Sequence, residues 1–204
     1  SYNEQGAALA ASGYAKATGE MAVAYATSGP GAINLLQGFA DAYYDSAPVL
    51  FITGQLNLSE YTDHPQLRQQ GFQQTDIVNI CKPITKNALM VTSPTDIPKV
   101  LDALVADMLQ GRKGPVLLDI PMDIQRAQID IPDDVIKNLL PDITQTKDDN
   151  DVSKIASSIF ESLKKAQRPV LFLGNGIGKN DASRKNVQAL IDRLQIPVVT
   201  TLLA

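Results

Sequence analysis

A carboxylate stands near the beginning of the sequence, at the start of an alanine-rich segment. Glu4 opens a run in which alanines recur at helical spacing, and Gly19 ends that run as a helix C-cap would. A carboxylate in this place could hold a proton for a ligand. It could equally do no more than stabilise the positive end of the helix dipole. The spacing alone leaves both interpretations open.

Two glycines interrupt the chain between a strand-like segment and the next predicted helix. The turn is Thr27-Ser28-Gly29-Pro30-Gly31, and Asn34 follows three residues after the second glycine. Turns of this kind lie at the carboxyl ends of parallel strands, where ligands bind, and glycine lets a ligand approach the backbone. A tight turn without any ligand explains the same residues equally well.

A third candidate lies at the end of a long polar segment. Residues 54–74 show no clear period, which is typical of a loop kept for function. The segment closes on Gly71-Phe72-Gln73-Gln74. Taken alone, this run is a weak indication of any chemistry.

Other chemistry-bearing residues have less support. His64 has no Cys or second His nearby, which argues against a metal site or a histidine-based triad. The glycines of residues 174–178 lack the spacing of a dinucleotide-binding fingerprint, because position 179 is lysine. Cys81 is predicted to be a small buried thiol rather than a nucleophile.

Composition and charge exclude several classes of protein. The chain has 204 residues, a net charge of −4, 44% hydrophobic residues and one cysteine, so it is neither disulfide-stapled nor disordered by composition. No secretory signal or membrane segment is expected, and the single cysteine fits the cytoplasm. The basic residues do not interleave with aromatic ones, which argues against nucleic acid. Residues 1–78 carry only nine charged residues, which predicts a deep core or a subunit interface.

Short β-branched runs alternate with helical segments along the chain. This order predicts an α/β fold, a doubly wound and mostly parallel sheet with helices on both faces. The predicted strands of the first domain are residues 22–27, 48–53, 86–91 and 116–120. Residues 126–150 are predicted to be a linker, and residues 151–204 the start of a truncated second α/β domain with strands at 169–173 and 197–201.

Several motifs occur together in a specific order. They are Asn3-Glu4-Gln5-Gly6-Ala7, Gly13-Tyr14-Ala15-Lys16-Ala17-Thr18-Gly19, Thr27-Ser28-Gly29-Pro30-Gly31-Ala32-x-Asn34, Asp45-Ser46-x-Pro48, Ile52-Thr53-Gly54-Gln55, Gly71-Phe72-Gln73, Lys82-Pro83-Ile84-Thr85-Lys86 and Gly114-Pro115-Val116-Leu117-Leu118-Asp119-Ile120-Pro121. The series resembles the pyrimidine-binding domain of thiamine diphosphate enzymes, and most nearly that of acetolactate synthases. Residues 1–125 are accordingly expected to be this domain without its beginning, and residues 168–204 resemble the opening of the family's central domain.

The resemblance implies roles for individual residues. Glu4 would hydrogen-bond N1′ of the cofactor's aminopyrimidine, because a carboxyl group held there in an apolar pocket can share a proton with that nitrogen. Pro30 and Asn34 would line the pyrimidine side, and Gln73 would approach the reacting centre. Phe72 and Lys86 would lie on the substrate side.

The resemblance also implies cofactors, substrates and partners. The cofactor would be thiamine diphosphate, with Mg²⁺ bound by a C-terminal domain, since the Gly-Asp-Gly and Asn module for that ion does not occur in this sequence. The enzyme would decarboxylate pyruvate and join the product to a second 2-oxo acid, as a transferase of branched-chain amino acid biosynthesis. It would be a homodimer or homotetramer through the pyrimidine domain, and this chain alone would be inactive.

Three alternatives stay open at this stage. The enzyme could be another thiamine diphosphate enzyme acting on a 2-oxo acid, such as a pyruvate oxidase, a decarboxylase or a lyase. The chain could be a non-catalytic binding module of the same fold. FAD could also bind near residues 174–178, by analogy with relatives that hold it in the central domain.

Overall fold

A parallel four-stranded sheet organises the first part of the chain. The structure is a computed structural model that describes residues 1–61, 66–131, 149–177 and 181–202. The chain divides into two units, Ser1–Thr144 and Gln145–Ala204. Each unit is described by itself below.

The first unit alternates strands and helices, as its sequence pattern predicts. Its strands are β1 (Ala22–Ala26), β2 (Val49–Gln55), β3 (Asn87–Met90) and β4 (Val116–Pro121), and its helices are α1 (Glu4–Thr18), α2 (Pro30–Asn34), α3 (Leu36–Tyr44), α4 (Ile77–Cys81), α5 (Ile97–Leu109) and α6 (Met122–Arg126). The sheet order is β1-β2-β4-β3, and every neighbouring pair is parallel. The carboxyl ends of β1, β2 and β4 therefore meet at one edge.

Apolar side chains cover both faces of the sheet. On one face, α1, α3 and α4 pack through residues such as Ala8, Phe39 and Cys81. On the other face, α5 and α6 pack through residues such as Leu104 and Ile124. The nearly continuous apolar runs of β2 and β4 are buried on both sides, as central parallel strands require. The doubly wound α/β fold predicted from the sequence is confirmed.

The second unit is a smaller parallel arrangement. It contains α7 (Asp149–Lys165), β5 (Leu171–Leu173), α8 (Asp181–Leu194) and β6 (Val198–Thr200). The two strands pair in parallel, with Leu171 opposite Val198. Both predicted strands of this part are present, although each is shorter than its apolar run in the sequence.

One predicted helix differs from the sequence-based expectation, and one predicted linker is only partly described. The single helix expected from Ala32 to Tyr44 is divided at Leu35 into α2 and α3. The proposed linker of residues 126–150 includes residues 132–148, which lie outside the described part of the chain, so its bounds stay a prediction. Within the described residues, the helices are all too short or too polar to cross a membrane.

Candidate functional site

The carboxyl edge of the sheet receives the start of α1. This helix precedes β1 and runs back along it, so its first turn lies beside the turn that follows β1. Asn3 caps the helix, since its Oδ1 accepts a hydrogen bond from the backbone amide of Gly6 at 2.8 Å. The cap fixes the first turn and thereby the direction from which Glu4 reaches the edge.

Glu4 is bonded to the helix that follows the glycine turn. The Nδ2 of Asn34 donates to Oε2 of Glu4 at 3.1 Å. Asn34 is the last residue of α2, and α2 begins at Pro30, whose fixed φ and missing N–H suit the first position of a helix. The turn thus places an amide on the carboxylate that precedes it by thirty residues in the sequence.

Gly31 allows this approach because it has no side chain. A Cβ at Gly31 would lie 2.8 Å from Cγ2 of Thr27 and 3.4 Å from Oε1 of Glu4. The absence of a side chain at position 31 therefore lets the second carboxylate oxygen pack close to the end of β1. A larger residue would press on Thr27 and on the carboxylate.

Gly29 allows a second close contact, with the loop that ends at Gln74. Its φ is +64°, and a Cβ would lie 2.3 Å from the backbone oxygen of Gln73 and 2.8 Å from its Cβ. Gln73 itself has a φ of 60°, a conformation that costs energy for a residue other than glycine. The structure thus holds Gln73 in a strained turn against Gly29.

The pKa of the Glu4 carboxyl lies below its ordinary value. Its own backbone amide is the main cause, the hydrogen bond from Asn34 is the second, and partial burial opposes both. The carboxyl group is only half-buried. The apolar pocket expected around Glu4 is therefore not formed by the described residues, because Pro30 and Asn34 beside the carboxyl group are exposed.

The predicted site residues separate into two groups. Glu4, Pro30, Asn34 and Gln73 lie together at the carboxyl edge through the contacts above. Phe72 precedes Gln73 in the same turn and is 83% exposed, so it offers an apolar surface there.

Lys86 does not join this group. It immediately precedes β3 and therefore lies at the amino edge of the sheet, where its Nζ donates to the backbone oxygen of Gln110 at 2.6 Å. The structure therefore does not place Lys86 with the substrate-side residues predicted from the sequence. Its part in the ordered motif series is explained by packing, since its stem lies against Gly114.

A polar cluster that sequence reasoning did not assign lies beneath the edge. Asp119, in β4, accepts hydrogen bonds from Oγ1 of Thr53 at 2.6 Å and from Nε2 of Gln55 at 3.1 Å. Burial raises the pKa of Asp119 to about 6, against the lowering effect of these two donors. The nearby carboxylate of Asp76 raises it further. The residues were visible only as members of two motifs, and no local spacing indicates that they meet.

The remaining candidates from the sequence are not assigned a catalytic role. Burial raises the pKa of the Cys81 thiol to about 12, which confirms the prediction of an inert buried cysteine. His64 and Gly178 lie outside the described residues. In the described ranges, His, Cys, Asp and Glu side chains form no group of three or more that could hold a metal ion.

Comparison with known proteins gives two family matches. Residues 1–80 match the thiamine pyrophosphate enzyme, N-terminal TPP binding domain, and residues 156–204 match the thiamine pyrophosphate enzyme, central domain. The order of the two matches along the chain agrees with the division of the structure into two units.

Curated relatives extend this similarity over almost the whole chain. The chain is 41% identical to the acetolactate synthase large subunit of Corynebacterium glutamicum, over 99% of this chain and 31% of the relative. It is 39% identical to the acetolactate synthase isozyme 2 large subunit of Escherichia coli, over 88% and 30%. It is 37% identical to the chloroplastic acetolactate synthase 1 of Oryza sativa subsp. japonica, over 98% and 30%. The chain thus spans less than a third of the length of these relatives.

Proposed function

This chain belongs to the thiamine pyrophosphate enzyme family, and we propose that it forms the pyrimidine side of the cofactor site in an acetolactate synthase-like enzyme. The observation that carries the proposal is the carboxylate of Glu4, held by Asn34 beside the glycine turn at the carboxyl edge of the sheet. The similarity to acetolactate synthases supports the choice of enzyme within the family.

The side chains at this edge fit the aminopyrimidine of thiamine diphosphate. A carboxylate accepts hydrogen bonds only, so Glu4 is suited to a protonated ring nitrogen. Gly31 keeps Oε1 free of a neighbouring side chain, since a Cβ there would lie 3.4 Å from that oxygen. Pro30, exposed at the start of α2, supplies an apolar surface for the ring at the same turn.

Each residue then has a definite task. When bound, thiamine diphosphate supplies the electron sink for the carbanion that forms when a 2-oxo acid loses CO₂. Glu4 holds a proton at Oε1, the oxygen that Asn34 does not contact, while the hydrogen bond from Asn34 keeps Oε2 in place. Gln73, whose backbone lies against Gly29, supplies a polar side chain from the loop. Phe72 offers an apolar contact to the substrate or to a second subunit.

A second surface is needed to make Glu4 effective. In this chain the carboxyl group is half-exposed and its pKa is lowered, so it is ionised near neutral pH. Covering the edge with apolar surface would raise that pKa by desolvation and favour a shared proton. We assign the covering surface to a second subunit, because Leu9, in the first half of α1, and Phe72, next to the Gln73 that lies on Gly29, are both exposed.

Other cofactor sites are assigned with less structural detail. We assign Mg²⁺ and the cofactor's diphosphate to the parts of the relatives that this chain does not span. FAD binding at the turn after β5 stays a prediction, and a yellow full-length protein would support it. The cytoplasm is the proposed compartment, since Cys81 is a free and buried thiol.

The reaction itself is tested in the full-length parent. We expect it to form acetolactate from pyruvate, as a transferase that supplies branched-chain amino acid biosynthesis. Consumption of pyruvate only in the presence of O₂ would indicate an oxidase instead, and no consumption of pyruvate would refute the proposal.

A further inference from the structure

The buried polar cluster beneath the edge connects to the loop that carries Phe72 and Gln73. Asp119 is 1% exposed, and Thr53 and Gln55 are buried with it. Its Oδ1 accepts from Thr53 and its Oδ2 accepts from Gln55. Burying three polar side chains costs free energy unless each of them is hydrogen-bonded. The hydrogen bonds within this cluster therefore matter for the stability of the fold.

Gln55 contacts both ends of the segment that follows β2, which the structure describes over residues 56–61 and 66–75. Its Oε1 accepts a hydrogen bond from the backbone amide of Leu56 at 3.1 Å. Its Nε2 donates to the backbone oxygen of Thr75 at 2.8 Å, in addition to its bond with Asp119. A single side-chain amide thus joins the first and last residues of the loop.

Close packing transmits this constraint toward the site. A Cβ at Gly71 would lie 2.5 Å from Cδ1 of Leu56, so the start of the loop supports its final turn. The backbone of Gln74 donates to the oxygen of Gly71 at 3.2 Å and closes that turn. The same turn lies on Gly29 through Gln73.

We propose that Asp119 and Gln55 are positioning residues, in which Asp119 orients the Gln55 amide and the amide holds the loop so that Gln73 lies over the Gly29 turn. The inference rests on the proposed function only where it gives Gln73 a place near the reacting centre. The hydrogen bonds of Gln55 with Asp119, Leu56 and Thr75, here called the clamp, all lie within this chain.

A carboxylate at position 119 has a chemical advantage. Ionised Asp119 only accepts, so it offers Nε2 of Gln55 an acceptor in either orientation of its own side chain. An asparagine offers an oxygen in one orientation and an NH₂ group in the other. When the NH₂ group faces Gln55, two donors meet, the bond to Nε2 is lost and the hold on the loop is weakened.

Hydrogen exchange of the full-length protein tests the clamp directly. We compare Asp119→Asn, Gln55→Met and the double variant, and follow the peptides that cover residues 56–61 and 66–75. Each single variant is expected to speed exchange there by about tenfold, as the loss of a hydrogen-bonded constraint would. Because Asp119 acts through Gln55, the double variant is expected to exchange no faster than Gln55→Met.

Thr53→Val is the matched control. It removes a donor from the other oxygen of the same carboxylate and leaves the bond to Gln55 in place. Loop exchange is expected to stay within about twofold of the parent, whatever the variant does to overall stability. Equal acceleration in Thr53→Val would overturn the inference, because the effect would then be general loosening of the core.

Two further results would overturn it. One is unchanged loop exchange in Gln55→Met, a variant that keeps Asp119 and so decides the matter even when Asp119→Asn does not fold. The other is loop exchange about 100-fold faster than in the parent in the double variant, which would mean that the two single effects multiply and are independent.

Activity separates this inference from the proposed function. In a parent that forms acetolactate, both single variants are expected to lower kcat by about tenfold with little change in KM for pyruvate, since misplacement of a group near the reacting atoms acts on the chemical step. If the parent forms no acetolactate, the proposed function fails, and the exchange result still decides the clamp. If exchange changes but kcat does not, the positioning role of the clamp is refuted.

Discussion

The side-chain amide of Asn34, the last residue of α2, donates to the carboxylate of Glu4, the first residue of α1, at 3.1 Å. The contact is possible because Asn3 fixes the first turn of α1 and Pro30 starts α2 directly after the glycine turn. It orients one oxygen of Glu4 and lowers the pKa of that carboxyl. The relationship has consequences that can be measured in the full-length parent.

Asn34→Leu removes the donor from Glu4 without changing the size of the side chain greatly. The pKa of Glu4 should rise, because the hydrogen bond favours its ionised form. The acidic limb of the pH profile of kcat/KM should therefore move to higher pH, while the carboxyl group stays ionised at neutral pH.

Gln37→Leu is the matched control for this variant. Gln37 bonds to Gln5 and so joins the same two parts of the chain beside Glu4 without contacting its carboxylate. Its pH profile should match that of the parent. A shift of equal size in both variants would mean that helix packing, and not the bond to Glu4, sets the pKa.

Gly29→Ala places a methyl group where the backbone of Gln73 lies. The residue has a φ of +64° and the Cβ would lie 2.3 Å from the oxygen of Gln73, so both strain and contact oppose the substitution. Stability should fall by about 2 kcal/mol or more, and cofactor affinity should fall with it. Denaturant unfolding and titration with thiamine diphosphate measure the two effects.

Gly13→Ala should have the opposite effect on stability. Gly13 is an exposed glycine within α1, and a Cβ there would meet no atom within 4 Å. Alanine should stabilise the helix by roughly 0.5–1 kcal/mol with no loss of activity. A loss of stability in Gly13→Ala would show that glycine-to-alanine changes cannot be interpreted from these contacts.

The buried carboxyl of Asp119 should make stability depend on pH. Its pKa of about 6 lies above the ordinary value, so the folded state binds this proton more tightly than the unfolded state. The resulting stabilisation is full at low pH and is lost as pH rises through about 6. The groups that act on Asp119 in this region are the donors Thr53 and Gln55 and the carboxylate of Asp76.

Asp119→Asn isolates this contribution. The variant cannot ionise, so the parent should lose stability relative to it by on the order of 2 kcal/mol as pH rises from about 4 to about 8. Denaturant unfolding of both proteins over this range measures the difference. A constant difference between them would refute the raised pKa of Asp119.

The sequence predicts the sheet well for a physical reason. Strands β2 and β4 are buried on both faces and are nearly continuous apolar runs, which few other elements of that length resemble. The break at Leu35 was not predictable, because no glycine or proline marks it. The resemblance also grouped Glu4, Asn34 and Gln73, and in the structure Asn34 bonds to Glu4 while Gln73 lies against Gly29; their roles stay a prediction.

Hydrogen-bond partners that are distant in the sequence could not be predicted from local sequence patterns. Asp119 and Gln55 are 64 residues apart, and no period connects them. Lys86 shows the converse case, because its place in a recurring motif suggested a site, whereas the parallel register of β3 puts it at the opposite edge.

The central claim is that Glu4 handles a proton at the cofactor's aminopyrimidine. Glu4→Gln in the full-length parent keeps the shape of the side chain and removes its acid. The control is Glu20→Gln, at an exposed carboxylate just beyond the other end of α1. The decisive measurement is the rate of acetolactate formation from pyruvate at saturating thiamine diphosphate and Mg²⁺. The account predicts a fall in kcat of about 100-fold or more for Glu4→Gln and none for Glu20→Gln, and an unchanged kcat in Glu4→Gln would contradict it.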